Sequence, residues 1–153
     1  MQIDQLNEII VRAKASTYVG AGTPVNSSRD GSHDLLWSDG DWRYLDSYFG
    51  GTDFIGQETV WHGSAPVWAM NYYGYILRPE LIDAQRAGAT IKAALSSMYQ
   101  QGRFLGGYEW TGEYGTYIDR SDGNAAHFRG REVIIVDGSE AYALDYCGGL
   151  IKP

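Results

Sequence analysis

Apolar residues at Ile3, Leu6, Ile9, Ile10 and Ala13 recur at three- and four-residue steps, which puts one apolar stripe on a helix over residues 3–14. Asp4 and Glu8 lie near its positive end, and Arg12 and Lys14 near its negative end, as the helix dipole favours. Residues 16–22 then turn β-prone through Thr17, Tyr18 and Val19, and residues 23–33 are rich in turn formers. Four strand-like runs follow, over residues 35–37, 42–49, 54–61 and 67–73. Asp39-Gly40 marks a tight hairpin between the first two. In the second run Trp42, Tyr44, Asp46 and Tyr48 fall on one face, and Arg43, Leu45, Ser47 and Phe49 on the other. Pro79 opens a second helix whose stripe is Ala84, Ala87, Ile91, Ala94, Leu95 and Met98. Beyond Gly102 come strand-like runs at 104–110, 114–120, 128–136 and 141–146. Strands joined by short turns, with only two helices, predict an α+β fold: a mostly antiparallel sheet with both helices on one face.

The chain also echoes itself. Phe54-Ile-Gly-Gln-Glu-Thr-Val60 is answered by Phe128-Arg-Gly-Arg-Glu-Val-Ile134, and Trp68-Ala-Met-Asn-Tyr-Tyr-Gly74 by Tyr142-Ala-Leu-Asp-Tyr-Cys-Gly148, both at an offset of 74. Tyr44-Leu-Asp46 is answered by Tyr117-Ile-Asp119 at 73. Matching residues held in register over several strands predict two pseudo-repeated α-β-β-β halves, about residues 1–78 and 79–153, within a single domain spanning 1–153. A groove between such halves is the expected binding place.

Composition narrows the function. A chain of 153 residues with 44% hydrophobic and 20% charged residues is long enough to bury a core without staples. Its one cysteine, Cys147, permits no internal disulfide, which fits a reducing compartment. With no apolar run of signal-peptide or membrane-helix length, the expectation is a cytoplasmic protein without a membrane partner. A net charge of −7 and the lack of a basic run argue against direct nucleic-acid binding. Nine Arg against three Lys favour recognition of carboxylate, phosphate or aromatic groups, although isolated surface ion pairs account for such residues equally well.

Three sets of residues could carry chemistry. The polar loop with Ser28, Arg29, Ser32, His33 and Asp34 could wrap an anion with hydroxyls and backbone N–H groups, or simply satisfy its own turns. An aromatic set including Trp42, Tyr44, Trp68 and Tyr73 could face a planar ligand beside Arg29 and Arg43, or pack across strands. Asp46, Glu58 and Asn71, with their echoes Asp119, Glu132 and Asp145, repeat polar groups within strands. Two of these carboxylates could serve as general acid and base, or they could pair with Arg43 and Arg131. The three histidines form no metal-type spacing, and no glycine fingerprint for phosphate is present, so neither a metal nor a cofactor is expected. The reading these features support is a small-molecule binding module, effector-sensing or ligand-sequestering, for a nucleotide-like anionic ring ligand. A hydrolase using Glu58 with Asp46 or His33, and a protein-interaction or inhibitor domain, remain alternatives, and a homodimer is left open.

Ser28-Arg29, Gly31-Ser32-His33-Asp34-Leu35, Gly40-Asp41-Trp42-Arg43-Tyr44-Leu45-Asp46-Ser47-Tyr48 and Pro66-Val67-Trp68-Ala69-Met70-Asn71-Tyr72-Tyr73-Gly74 carry a resemblance. The segment from Phe128-Arg129-Gly130 to Gly148-Gly149-Leu150 fits it as well. Together they resemble an uncharacterised bacterial domain family of unknown function, found alone or C-terminal to XRE-type helix-turn-helix transcription regulators. The resemblance implies an effector domain without established catalytic activity. The absence of a helix-turn-helix segment in this sequence leads to the expectation that any regulatory role is indirect.

Overall fold

The computed structural model describes residues 2–20 and 22–153. Helix α1 (Ile3–Ser16) leads into strands β1 (Thr23–Val25), β2 (His33–Asp39), β3 (Trp42–Gly50), β4 (Phe54–His62) and β5 (Ala65–Ile76). Helix α2 (Ala84–Gln100) is followed by β6 (Tyr108–Gly112), β7 (Gly115–Asn124), β8 (His127–Val136) and β9 (Ser139–Leu150). All the strands join one antiparallel sheet in the order β1-β2-β3-β4-β5-β9-β8-β7-β6. The architecture is α+β, and neither helix is long and apolar enough to cross a membrane.

Two meanders meet at the β5–β9 pairing, where Tyr72 lies opposite Tyr146. Register repeats on either side of that pair. Asp46 faces Glu58 and Asp119 faces Glu132; Phe54 faces Gly74 and Phe128 faces Gly148; Gly56 faces Tyr72 and Gly130 faces Tyr146. The glycines are needed for space. A Cβ on Gly56 would lie 2.4 Å from the Tyr72 hydroxyl oxygen, and one on Gly130 2.2 Å from the Tyr146 ring. Each tyrosine therefore lies flat over a glycine of the neighbouring strand and reaches the aspartate on the strand beyond.

Both helices cover the face that carries these aspartates. Leu6, Ile10 and Ala13 of α1 pack with Tyr44, Val60, Trp68 and Phe128. Ala87, Ile91 and Ala94 of α2 pack with Tyr117, Ile134 and Tyr142. Trp68 ties the two meanders together: it stacks on Phe128 at 5.8 Å, and its indole N–H donates to the Ala125 carbonyl at 2.9 Å. Burying such aromatic area is the main source of stability.

Four boundaries differ from the sequence expectation. Helix α2 begins at Ala84 rather than Pro79, because the Asp83 carboxylate accepts from the Arg86 N–H at 2.8 Å and caps the helix there. The Pro79 segment instead turns, with the Ile82 N–H bonded to the Arg78 carbonyl, and delivers Ile82 to the core. Among its described residues the β-prone stretch after Ser16 forms no strand (residue 21 lies outside them), because the Thr17 hydroxyl folds back onto the Ala13 carbonyl at 2.9 Å and closes α1. Phe104 lies ahead of β6 rather than within it. Its ring is buried edge-on against Trp68 and Phe128, where packing outweighs β propensity. Finally, residues 23–33 are not all loop, since Thr23–Val25 pair with β2 as a short edge strand.

Candidate functional site

The polar loop before β2 is built around Asp34. Its carboxylate accepts from the Ser28 N–H at 2.9 Å, the Ser32 hydroxyl at 2.8 Å and the Ser47 hydroxyl at 2.7 Å. Burial pushes the Asp34 carboxyl up, but these serine hydrogen bonds prevail and hold it at about 2. Arg29 donates to the Ser47 hydroxyl and carbonyl oxygens, and its guanidinium lies 4.5 Å from the Phe49 ring centre. His33 is exposed beside Tyr48. The loop's polar groups are thus used within the loop and its supporting strand.

Of the other residues singled out from sequence, Asn71, Tyr73 and Asp145 share an open groove with Arg120, Arg129 and Arg131, and the rest lie apart. Trp42 packs on His62, and Arg43 lies over Trp61 at 4.5 Å. Trp68 is core. Asn71 accepts from Gln57, and Tyr73 stacks on Tyr75, both on the face away from the helices. Asp145 pairs with Arg131 on that face at 3.0 Å. Arg29 and Arg43, expected to supply charge to a ligand, do not line the cavity that gathers the remaining candidates.

Between the sheet and the two helices lies a cavity of about 240 Å³ lined by four carboxylates, Asp46, Glu58, Asp119 and Glu132, together with Lys14 and eight tyrosines. Strands β3 and β4 bring in Tyr44, Asp46 and Glu58 from the sequence-derived set. Strands β7 and β8 contribute Asp119 and Glu132. Apolar groups from Ile91, Leu95 and Leu144 complete the walls, and the exposed turn Gly50-Gly51-Thr52 forms part of the rim.

All four carboxylates are buried, between 2% and 8% exposed. Like charges directly opposite on neighbouring strands destabilise a sheet, so each pair needs compensation. Lys14 supplies it on one side: its Nζ lies 2.6 Å from Glu58 Oε2 and 3.4 Å from the Met70 sulfur. Tyr72 donates to Asp46 Oδ1 at 2.6 Å, and Tyr146 to Asp119 Oδ1 at 2.7 Å. Glu132 accepts from the Tyr117 hydroxyl through one oxygen and the Tyr142 hydroxyl through the other. Asp119 Oδ2 is buried and has no hydrogen-bond partner among the described residues.

Burial, with the neighbouring Glu58 charge, raises the Asp46 carboxyl to about 7 against the opposing pull of Tyr72 and Lys14. Burial raises Glu132 to about 7 despite its two tyrosine hydrogen bonds. Asp119 is raised by burial as well, although the Tyr146 hydrogen bond opposes it. Burial and nearby carboxylates push the Tyr72, Tyr117 and Tyr142 hydroxyls far up, so these remain neutral donors. The cavity therefore holds acidic groups that titrate near neutrality and is rich in acceptors. Among the described residues no cluster has the geometry to hold a metal ion.

Lys14 and the cavity tyrosines outside β3 and β5 escaped the sequence reading. The signal for Lys14 was present: it follows Ile10 by four residues and so falls on the apolar stripe of α1, where it turns inward instead of serving the helix terminus.

No curated protein and no solved structure shows significant similarity to the chain. A family described as Domain of unknown function (DUF5680) matches residues 46–151, a span that contains all four cavity carboxylates. The chain therefore belongs to the DUF5680 family.

Proposed function

We propose that the protein is a small-molecule binding module whose ligand occupies the cavity beneath α1 and α2, at the meeting of two pseudo-repeated halves. The observation that carries this reading is the concentration of buried titratable groups around a preformed hollow with apolar walls, the usual composition of a ligand site. The matching registers about Tyr72 and Tyr146 support the duplication and set the cavity over the junction. An apolar cavity of about 150 Å³ holds a benzene ring, so about 240 Å³ suits a ligand somewhat larger than one ring and not a complete nucleotide. A module of this kind acts by sensing an effector or by sequestering it, in the cytoplasm, alone or attached to a helix-turn-helix regulator.

A thermal-shift screen over amines, aromatic acids, cyclic nucleotides and nucleotide sugars, run in parallel on a Gly88→Phe variant, tests the reading. A Cβ at Gly88 meets nothing within 4 Å, and the residue lines the cavity from α2. Phenylalanine there fills the space while helix propensity improves. Compounds that raise the wild-type melting temperature are expected to lose their effect in the variant. Shifts that persist unchanged in the variant, or none from any class, refute the site.

A second reading, acid–base catalysis, is favoured by one observation: Asp46, with its carboxyl raised to about 7, lies directly opposite Glu58 inside the cavity. It predicts a hydrolytic turnover abolished in Glu58→Gln with the fold retained. His33, outside the cavity, would take no part.

A further inference from the structure

The two helices match each other as the strands do. Ile10-Val-Arg-Ala-Lys14-Ala-Ser-Thr-Tyr18 aligns with Ile91-Lys-Ala-Ala-Leu95-Ser-Ser-Met-Tyr99 at an offset of 81, with identity at Ile10/Ile91, Ala13/Ala94, Ser16/Ser97 and Tyr18/Tyr99. Burial follows the alignment: Ile10, Ala13, Ile91 and Ala94 are all core. Both members of the pair Lys14/Leu95 line the cavity, as do both members of the pair Tyr18/Tyr99. The counterpart of Lys14, the one cation lining the cavity among the described residues, is therefore a leucine.

That substitution leaves the two carboxylate pairs unequal. On the first side Glu58 Oε2 makes no aligned hydrogen bond, but the Lys14 ammonium sits 2.6 Å from it and supplies the opposite charge. On the second side Glu132 is satisfied by two tyrosine hydroxyls, but Asp119 has only Tyr146 on Oδ1. Its Oδ2 is unpartnered among the described residues, in a side chain 2% exposed. The neighbouring arginines do not reach this oxygen. Arg120 donates to the Asp119 backbone carbonyl, and Arg103 to the carbonyls of Leu105 and Gly107. A buried carboxylate oxygen without a partner is costly, and a cation delivered to it removes the deficit.

We propose that the cavity takes a small primary amine, whose ammonium group binds Asp119 Oδ2 in the role that Lys14 fills for Glu58, and whose apolar or aromatic body lies along Leu95 and the tyrosine faces. The proposal rests on the cavity being the ligand site, and it names the class of ligand. The ammonium of Lys14 on its own aliphatic stem shows which group the first half accepts. A tyrosine-lined wall favours a cationic head further. The missing arginines in the cavity weigh against an anionic ligand.

The test is calorimetric titration of the full chain at pH 8 with phenethylamine and n-hexylamine. The neutral isosteres 2-phenylethanol and 1-hexanol and the anion hexanoate serve as controls. The amines are expected to bind roughly tenfold or more tightly than the alcohols, as a charged hydrogen bond warrants. Asp119→Asn should remove that preference. Leu95→Lys, which supplies the second cation internally, should abolish amine binding while the protein stays folded. This variant keeps the test decisive if Asp119→Asn fails to fold. Amines that bind no better than the alcohols, or not at all, or that bind Leu95→Lys as well as wild type, overturn the proposal. If neutral or anionic compounds bind and Gly88→Phe blocks them, the amine class fails while the cavity reading survives. If Gly88→Phe blocks nothing that binds, the cavity reading itself fails.

Discussion

Replacing Asp46 by asparagine isolates the electrostatic load in the cavity. The Asp46 side chain is 3% exposed, faces Glu58 across β3 and β4, and accepts the Tyr72 hydroxyl at 2.6 Å. Asparagine keeps the shape and the acceptor but removes the charge. A carboxyl raised from 3.8 to about 7 resists ionisation in the folded state by about 4 kcal/mol at ~1.4 kcal/mol per unit. The opposing pull of the Tyr72 hydrogen bond on the charged form is already contained in that value. The variant should therefore gain about 4 kcal/mol at pH 8, or roughly 8–16 °C in melting temperature for a domain of this length. The sign follows from the raised value. Stability from the protonated Asp46 is full below the unfolded carboxyl range and is lost as pH rises toward 7. Wild type should thus lose stability between pH 4 and pH 8 relative to the variant, and the two should agree near pH 4. Urea unfolding followed by tryptophan fluorescence at both pH values measures this. An equal difference at the two pH values, or a less stable variant at pH 8, refutes the reasoning.

Four further outcomes follow from the structure. Gly56→Ala drives a methyl group to 2.4 Å from the Tyr72 hydroxyl and 2.7 Å from the Tyr48 Cβ, so it should cost about 2–4 kcal/mol in denaturant melts. Gly51→Ala, with nothing within 4 Å, should stay within about 0.5 kcal/mol of wild type. Lys14→Met leaves Glu58 without its cation at 2.6 Å, which should destabilise by about 3–5 kcal/mol in the same assay. Asp34→Asn removes a carboxylate held at about 2. The stability this group adds above the ordinary carboxyl range, and loses as pH falls from about 4 to 2, should disappear from the acid titration of the variant.

Much of the fold was legible because its strands alternate cleanly and its turns carry glycine. The run from Trp42 placed Tyr44, Asp46 and Tyr48 on one face, and that face lines the cavity. The echo at an offset of 74 matches Glu58 with Glu132 in sequence, but their pairing across strands with Asp46 and Asp119 came only from the sheet register. The site was only partly legible. Ser28, Arg29, Ser32 and Asp34 resemble an anion-binding loop in composition, and only the hydrogen bonds to Asp34 reveal that they bind one another. Tyr72 and Tyr146 reach across a glycine to a strand two positions away, a contact that local periodicity does not encode. Lys14 read as a terminal helix charge until the packing of α1 on β4 and β5 turned it inward.

The most direct measurement is a crystal structure of the protein grown at pH 8 in the presence of phenethylamine. Density is expected in the cavity between α2 and the sheet, with the ammonium within hydrogen-bonding distance of Asp119 Oδ2. A cavity closed by rearranged side chains, or the amine bound only elsewhere, would contradict it.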